Sequence, residues 1–316
     1  MEPHLIDQVR LNFNPQTLTI IKIAIAFMML GVALEIRLED FKKILMAPKA
    51  PAIGLVSQFI LLPAFTFLLI LAVDPRPSIA LGMIMVAACP GGNLSNIITY
   101  LARGNNAVSV SMTGVSTGFS LFMTPLNLAF WGSLNPSTAP ILRTIQLSPI
   151  DVFVTVIIIL GIPVTLGMTL SRLFPGLADK IRKPFRILSF VFFVAVVIGA
   201  LMANWQYFLE YVGYVVFFVF LHNLLAMGIG YSAGRLLSLD GPDVRAVTIE
   251  VGIQNSGLGL VLTLNFFAGL GGMAILVAWW GIWHIIAGLA AAMIFTRGEI
   301  FFSGKNEAVS QGNQRG

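Results

Sequence analysis

CPGGNLSN, residues 89–96, stands in the middle of an apolar stretch that runs from 77 to 103. Pro90 removes a backbone donor and clashes with the preceding turn, and Gly91 and Gly92 weaken a helix further. Unpaired backbone at membrane depth persists only where protein covers it or where it lines a cavity. The stretch therefore predicts a helix broken halfway across. A second interruption, TIEVGIQNSG at 248–257, lies inside the apolar stretch 243–267, where Gly252 and Gly257 bracket Gln254, Asn255 and Ser256. Two interrupted spans in corresponding places of two halves point to a transporter site at the interface of inverted repeats.

The composition around these breaks fixes the class. The chain has 316 residues, 57% hydrophobic and 10% charged, with a mean hydropathy of +0.89. Soluble domains carry roughly 25% charged residues, so the expected fold is an all-α polytopic membrane protein. The single cysteine, Cys89, excludes an intrachain disulfide framework. The polar, mixed-charge first residues do not read as a cleavable signal.

A helix crossing the hydrocarbon needs about 20 mostly apolar residues. Nine segments qualify: 17–36, 51–73, 77–103, 106–132, 149–174, 183–203, 208–235, 243–267 and 272–296. Pro, Gly or charged stretches separate them, FPGLADKIRKP at 174–184 among these. Spans 1–4 and 6–9 each run plain, plain, broken, plain. Equivalent elements are offset by five spans, an odd number, so the two sets have opposite orientation. The expected organisation is one integral-membrane domain over 1–316: repeat one at 17–132, a connector span at 149–174, repeat two at 183–296, and a disordered tail at 304–316.

Basic residues choose the orientation. With the N-terminus outside, fifteen Lys and Arg fall on the inner side, against three on the outer side (Arg10, Arg76 and Arg143), and Lys22 lies within the first span. The positive-inside rule then places the N-terminus outside and the C-terminus in the cytoplasm of a cell-membrane protein. It also accounts for the net charge of +5 without a nucleic-acid partner; the expected partners are membrane lipid and a small substrate.

Glu250 alone among the fourteen acidic residues lies well inside a span. A central carboxylate costs ~2.5–3.5 kcal/mol on insertion scales, and ligation of a cation explains both the charge and its oxygen-rich company. Ser95 and Asn96 follow the first break. Ser109 and Thr113, four residues apart, share one helix face. Gln58 is the lone amide of its span. Hard cations take oxygen ligands, and a broken helix adds free carbonyls to the side-chain oxygens.

CPGGNLSN followed by YLARGNNAVSVSMTGVST (100–117), with VTIEVGIQNSGLGLVL (247–262) and WHIIAG (283–288), resembles the bile acid:sodium symporter family, in its nine-span form. The resemblance runs from about residue 27 to the end of the ninth span. It implies a core domain, a panel domain and two sodium ions behind two crossing broken helices. One site would use Ser95, Asn96, Ser109, Thr113 and Glu250. The other would use Gln58, Glu250, Gln254 and the backbone carbonyls of Val251 and Ile253. Asn93 stands where many relatives carry a small hydroxyl residue, so the resemblance does not carry substrate identity.

The expected substrate is an organic anion, since half-helix N-termini present free N–H groups and a positive dipole end. Asn255, its counterpart Asn93 and His284 are the substrate-site candidates. The function expected is a sodium-coupled symporter with no further cofactor. The alternatives are a proton-coupled or sodium-independent transporter of the same fold and, more remotely, an intramembrane enzyme.

Overall fold

The computed structural model describes the backbone of residues 46–145 and 149–312, together with residues 6, 7, 16, 19, 20, 23, 26, 27, 30, 31, 33 and 34; side-chain placement is not described at some positions within the helices or beyond residue 297. Most of the expected first span, 17–36, and of the loop after it lies outside the described residues.

The described chain is helical throughout, apart from one isolated pairing of extended residues. Helix α1 covers Lys49–Val73 with a π-helical stretch at Ser57–Leu61. The π turn has a local cause: Pro63 has no N–H for the carbonyl of Phe59 and its ring crowds that carbonyl. The freed Phe59 oxygen accepts a bond from Asn127 Nδ2 at 3.0 Å. Helices α2 (Pro77–Ala88) and α3 (Leu94–Leu101) are the halves of the first broken span. Helix α4 is Asn106–Leu134, and α5 is a short helix at Ala139–Ile145. Helix α6 covers 149–173, with a second π-helical stretch at Ile157–Gly161.

Helices α7 (Pro175–Ala203) and α8 (Trp205–Leu236) follow. Helices α9 (Gly241–Gly252) and α10 (Ser256–Phe266) are the halves of the second broken span, and α11 is Gly271–Gly312. One expectation is corrected. FPGLADKIRKP is no break beyond Phe174: Pro175 takes the first helical position, where its missing N–H is harmless, and Asp179 pairs with Arg182 one turn on at 3.0 Å.

Among the described residues, three intact helices, Lys49–Val73, Trp205–Leu236 and Gly271–Arg297, are long and apolar enough to cross a membrane. Their outer faces, with that of α4, carry exposed large hydrophobics such as Ile60, Leu68, Phe122, Phe130, Phe217 and Ile286, as a lipid-facing surface requires. Three of the four halves of the broken helices instead form the interior. Ser78 to Ala88 of α2, Ala246 to Gly252 of α9 and Ser256 to Leu264 of α10 are buried on every side. At Gly230 of α8 a β-carbon would come within 2.9 Å of the Thr248 Cα and the Val247 carbonyl oxygen. Only glycine lets α8 close on α9 this far.

Candidate functional site

The two breaks meet. Cys89 and Ile253 leave helical geometry for extended backbone, and Gly91 pairs antiparallel with Gln254. The Gly92 N–H donates to the Ile253 carbonyl and the Asn255 N–H to the Pro90 carbonyl, each at 2.8 Å. Each unwound segment thus satisfies the other's backbone, which removes the largest cost of breaking a helix in an apolar medium. Neighbouring helices complete the accounting: Thr124 Oγ1 donates to the Ala88 carbonyl and Asn223 Nδ2 to the Gly252 carbonyl, each at 2.7 Å. The breaks were legible in the sequence, but these two partners were not. Asn223 stands on an otherwise apolar face, whereas Thr124 is one of a buried polar row on α4 with Thr117, Ser120 and Asn127.

Glu250 occupies the last turn of α9, fully buried. Its Oε1 accepts from Thr113 Oγ1 at 2.6 Å and its Oε2 from Ser109 Oγ at 3.0 Å. The same two hydroxyls also face Asn96 Oδ1, at 3.3 and 2.8 Å, and Thr113 further faces the Ser109 carbonyl at 3.0 Å. Ser95 Oγ lies 3.5 Å from Thr113 Oγ1. Each hydroxyl carries one proton and can serve one acceptor at a time. Glu250, Asn96 and the Ser109 carbonyl therefore present more acceptor oxygens than these hydroxyls can serve. An excess of buried acceptors is what a hard cation relieves. All five side chains expected at the first site, Ser95, Asn96, Ser109, Thr113 and Glu250, are brought together.

Gly91 joins this cluster to the second set of residues. A β-carbon there would lie 2.6 Å from Glu250 Oε1 and 3.4 Å from Gln58 Nε2. The glycine gives the carboxylate its room beneath the crossing and places Gln58 beside it. Gln58 Nε2 donates to Gln254 Oε1 at 3.3 Å, and Gln254 Nε2 donates to the Val251 carbonyl at 2.7 Å. Gln58 Oε1 is buried with no hydrogen-bond partner, an orphaned acceptor that a cation would satisfy. The Val251 and Ile253 carbonyls each already accept one bond, from Gln254 and Gly92, and each oxygen keeps one free lone pair.

The substrate-site candidates separate. Asn255 is 7% exposed and its Oδ1 caps α10 by accepting from the Leu258 N–H at 3.0 Å. Asn93 precedes α3 without any such cap bond and is half-buried. The pairing of Gly91 with Gln254 sets Asn255 opposite Pro90, and Asn93 and Asn255 each stand at the N-cap of the second half of a broken span, α3 and α10. His284 is buried on α11 with Nδ1 unpartnered. It lies between Gly281, whose added β-carbon would meet Ser256, and Gly288, whose added β-carbon would meet Ile98 and Ile253. That face of α11 backs the crossing. His222 is held by Thr66 Oγ1 at 2.8 Å and packs on the Trp280 ring at 4.8 Å between centroids, in keeping with a structural role.

Residues 22–211 match the Sodium Bile acid symporter family, a segment that contains the first break. Relatives extend the likeness over the second. An uncharacterized sodium-dependent transporter, YocS, of Bacillus subtilis is 30% identical over 278 residues, covering 88% of this chain and 83% of its own. A protein of Oryza sativa named "Probable sodium/metabolite cotransporter", chloroplastic, is 35% identical over 246 residues, covering 78% of this chain and 58% of its own. The human ileal sodium/bile acid cotransporter is 27% identical over 250 residues, covering 78% and 70%.

Proposed function

The chain belongs to the sodium bile acid symporter family, a family of transporters and not of enzymes, and from that premise we propose that it is a sodium-coupled symporter of an organic anion. The observation that carries the reading is the acceptor-rich cluster around Glu250, built from three separate helices in the protein interior. In this reading Glu250 serves two sodium ions. Ser95, Asn96, Ser109 and Thr113 complete one site; Gln58, Gln254 and the Val251 and Ile253 carbonyls complete the other. The anion sits across the crossing, toward the N-terminal ends of α3 and α10, with Asn93, Asn255 and His284 as its polar contacts.

Coupling follows from the shared crossing. Ligation of sodium by α3, α4 and α9 fixes the angle at which the two breaks meet, and that angle also shapes the anion site. The nine spans, arranged as inverted repeats around this crossing with the N-terminus outside, supply a core and a panel that rock past one another. Uptake of labelled organic anions into proteoliposomes, with and without an inward sodium gradient, tests the reading. Accumulation that needs the gradient supports it, and accumulation indifferent to sodium removes it.

Proton coupling is favoured by one feature, since the buried Glu250 carboxylate has no cationic side chain among its hydrogen-bond partners and needs neutralising by a cation or a proton. A proton would add one donor to the cluster and leave Gln58 Oε1 orphaned. Uptake driven by a pH gradient in sodium-free buffer distinguishes the two.

A further inference from the structure

The inner ends of the three helices that carry the Glu250 cluster are tied together, and the tie lies in the first turn of α9. The Pro242 carbonyl accepts from the Asn105 N–H at 2.9 Å, and Asp243 Oδ1 accepts from Asn105 Nδ2 at 2.7 Å. Two residues on, Arg245 Nη1 donates to the Ala102 carbonyl at 3.1 Å, where α3 ends, with its guanidinium 5.9 Å from the Phe295 ring centre. Asn105 uses both ends of its amide. Its Oδ1 caps α4, accepting from the Ala107 and Val108 N–H groups at 3.0 and 3.3 Å, while its Nδ2 reaches Asp243.

This tie shares a seam with the cluster. Asp243 and Glu250 are seven residues apart, two turns along one face of α9, or about 10 Å. Asn105 and Ser109 are four apart on the facing side of α4. The seam thus has two rungs, Asn105 to Asp243 at 2.7 Å and Ser109 to Glu250 at 3.0 Å. The outer rung holds only if α4 keeps its axial position and rotation against α9, because a hydrogen bond weakens steeply outside its narrow geometry. The inner rung sets both.

We propose that Asn105 and Asp243 are positioning residues of the cation site: their amide–carboxylate bond fixes the register of α4 against α9 and so holds Ser109 and Thr113 at Glu250. This rests on Glu250 being a sodium ligand. Neither residue touches the ion; they act as outer partners that orient its ligands.

Asn105→Asp tests this without removing the helix cap, because Asp caps as well as Asn but cannot donate to Asp243 and sets two carboxylates face to face. The sodium concentration giving half-maximal thermal stabilisation of the purified protein should rise on the order of tenfold, as for other residues that orient metal ligands, whatever fall in the sodium-free melting temperature the facing carboxylates cause. The double variant Asn105→Asp/Asp243→Asn reverses donor and acceptor and should restore the wild-type sodium dependence. Asp243→Ala, which leaves the cap intact, should weaken sodium as Asn105→Asp does and gives the same readout if that variant does not fold. A lowered sodium-free melting temperature with unchanged half-saturating sodium would make the pair merely structural and overturn the proposal, as would failure of the double variant to recover. A wild-type protein that sodium does not stabilise would instead overturn the cation reading itself, and this inference with it.

Discussion

Gly91 has no β-carbon, and the space where one would sit is 2.6 Å from Glu250 Oε1. The residue that breaks the first helix is therefore also the residue that admits the carboxylate of the second. Gly91→Ala should force Glu250 or the crossing backbone to shift, at a cost of about 1–3 kcal/mol for overpacking a tight interior. Sodium-dependent stabilisation should fall well below that of the wild type. An alanine variant with unaltered sodium dependence would show that the carboxylate does not need that room.

The carbonyls freed at the breaks make a second prediction. Thr124→Val keeps shape but removes the donor to the Ala88 carbonyl, leaving a buried acceptor unmade at about 1–3 kcal/mol. Thr117→Val on the same helix removes only a bond to its own backbone, at the Thr113 carbonyl. Melting temperatures in detergent should drop by several degrees for Thr124→Val, with a much smaller change for Thr117→Val. Equal drops would mean that the crossing does not depend on Thr124.

The substrate side is best probed at Asn93. Asn255→Ala removes the cap of α10 along with any substrate contact, so its effect would be mixed. Asn93 makes no cap bond, and Asn93→Ala should raise the substrate concentration for half-maximal uptake while leaving sodium stabilisation intact. Unchanged substrate dependence would take Asn93 out of the anion site.

Much of the architecture was legible because its causes are local. Pro90 and the glycines cannot continue a helix in lipid, and Glu250 cannot sit there without oxygen-bearing company. Ser109 and Thr113 share a face through helical period alone. What was not legible depends on contacts between distant segments. Nothing in the chain sets Gly91 opposite Gln254, the pairing through which each break satisfies the other's backbone. The roles of Thr124, Asn223 and Asn105 follow from which carbonyl or carboxylate a neighbouring helix presents to each. The misread start of α7 has another origin: Pro, Gly and charge also suit the first turns of a helix, so FPGLADKIRKP was ambiguous by composition.

Orientation is a further test. In the proposed orientation, drawn from the excess of Lys and Arg on one side, the loop before α1 faces the cytoplasm. A cysteine introduced by Ala47→Cys, with Cys89 buried in the interior, should resist an impermeant thiol reagent in intact cells and react once they are opened. Ready labelling from outside would reverse the orientation.

Glu250→Gln addresses the central proposal most directly. The change keeps size and one carbonyl oxygen but removes the charge that would offset sodium at both sites. A ligand that binds only the folded state stabilises it by mass action, so sodium-dependent thermal stabilisation and sodium-driven uptake should be lost together. Thr113→Ala, at one proposed site, and Gln58→Ala, at the other, should each weaken sodium dependence without abolishing it. The measurement is uptake on a sodium gradient across this series. The expected result is that the Glu250→Gln protein accumulates nothing while both alanine variants retain part of the wild-type rate. A Glu250→Gln protein that still concentrates substrate on a sodium gradient would contradict the proposal.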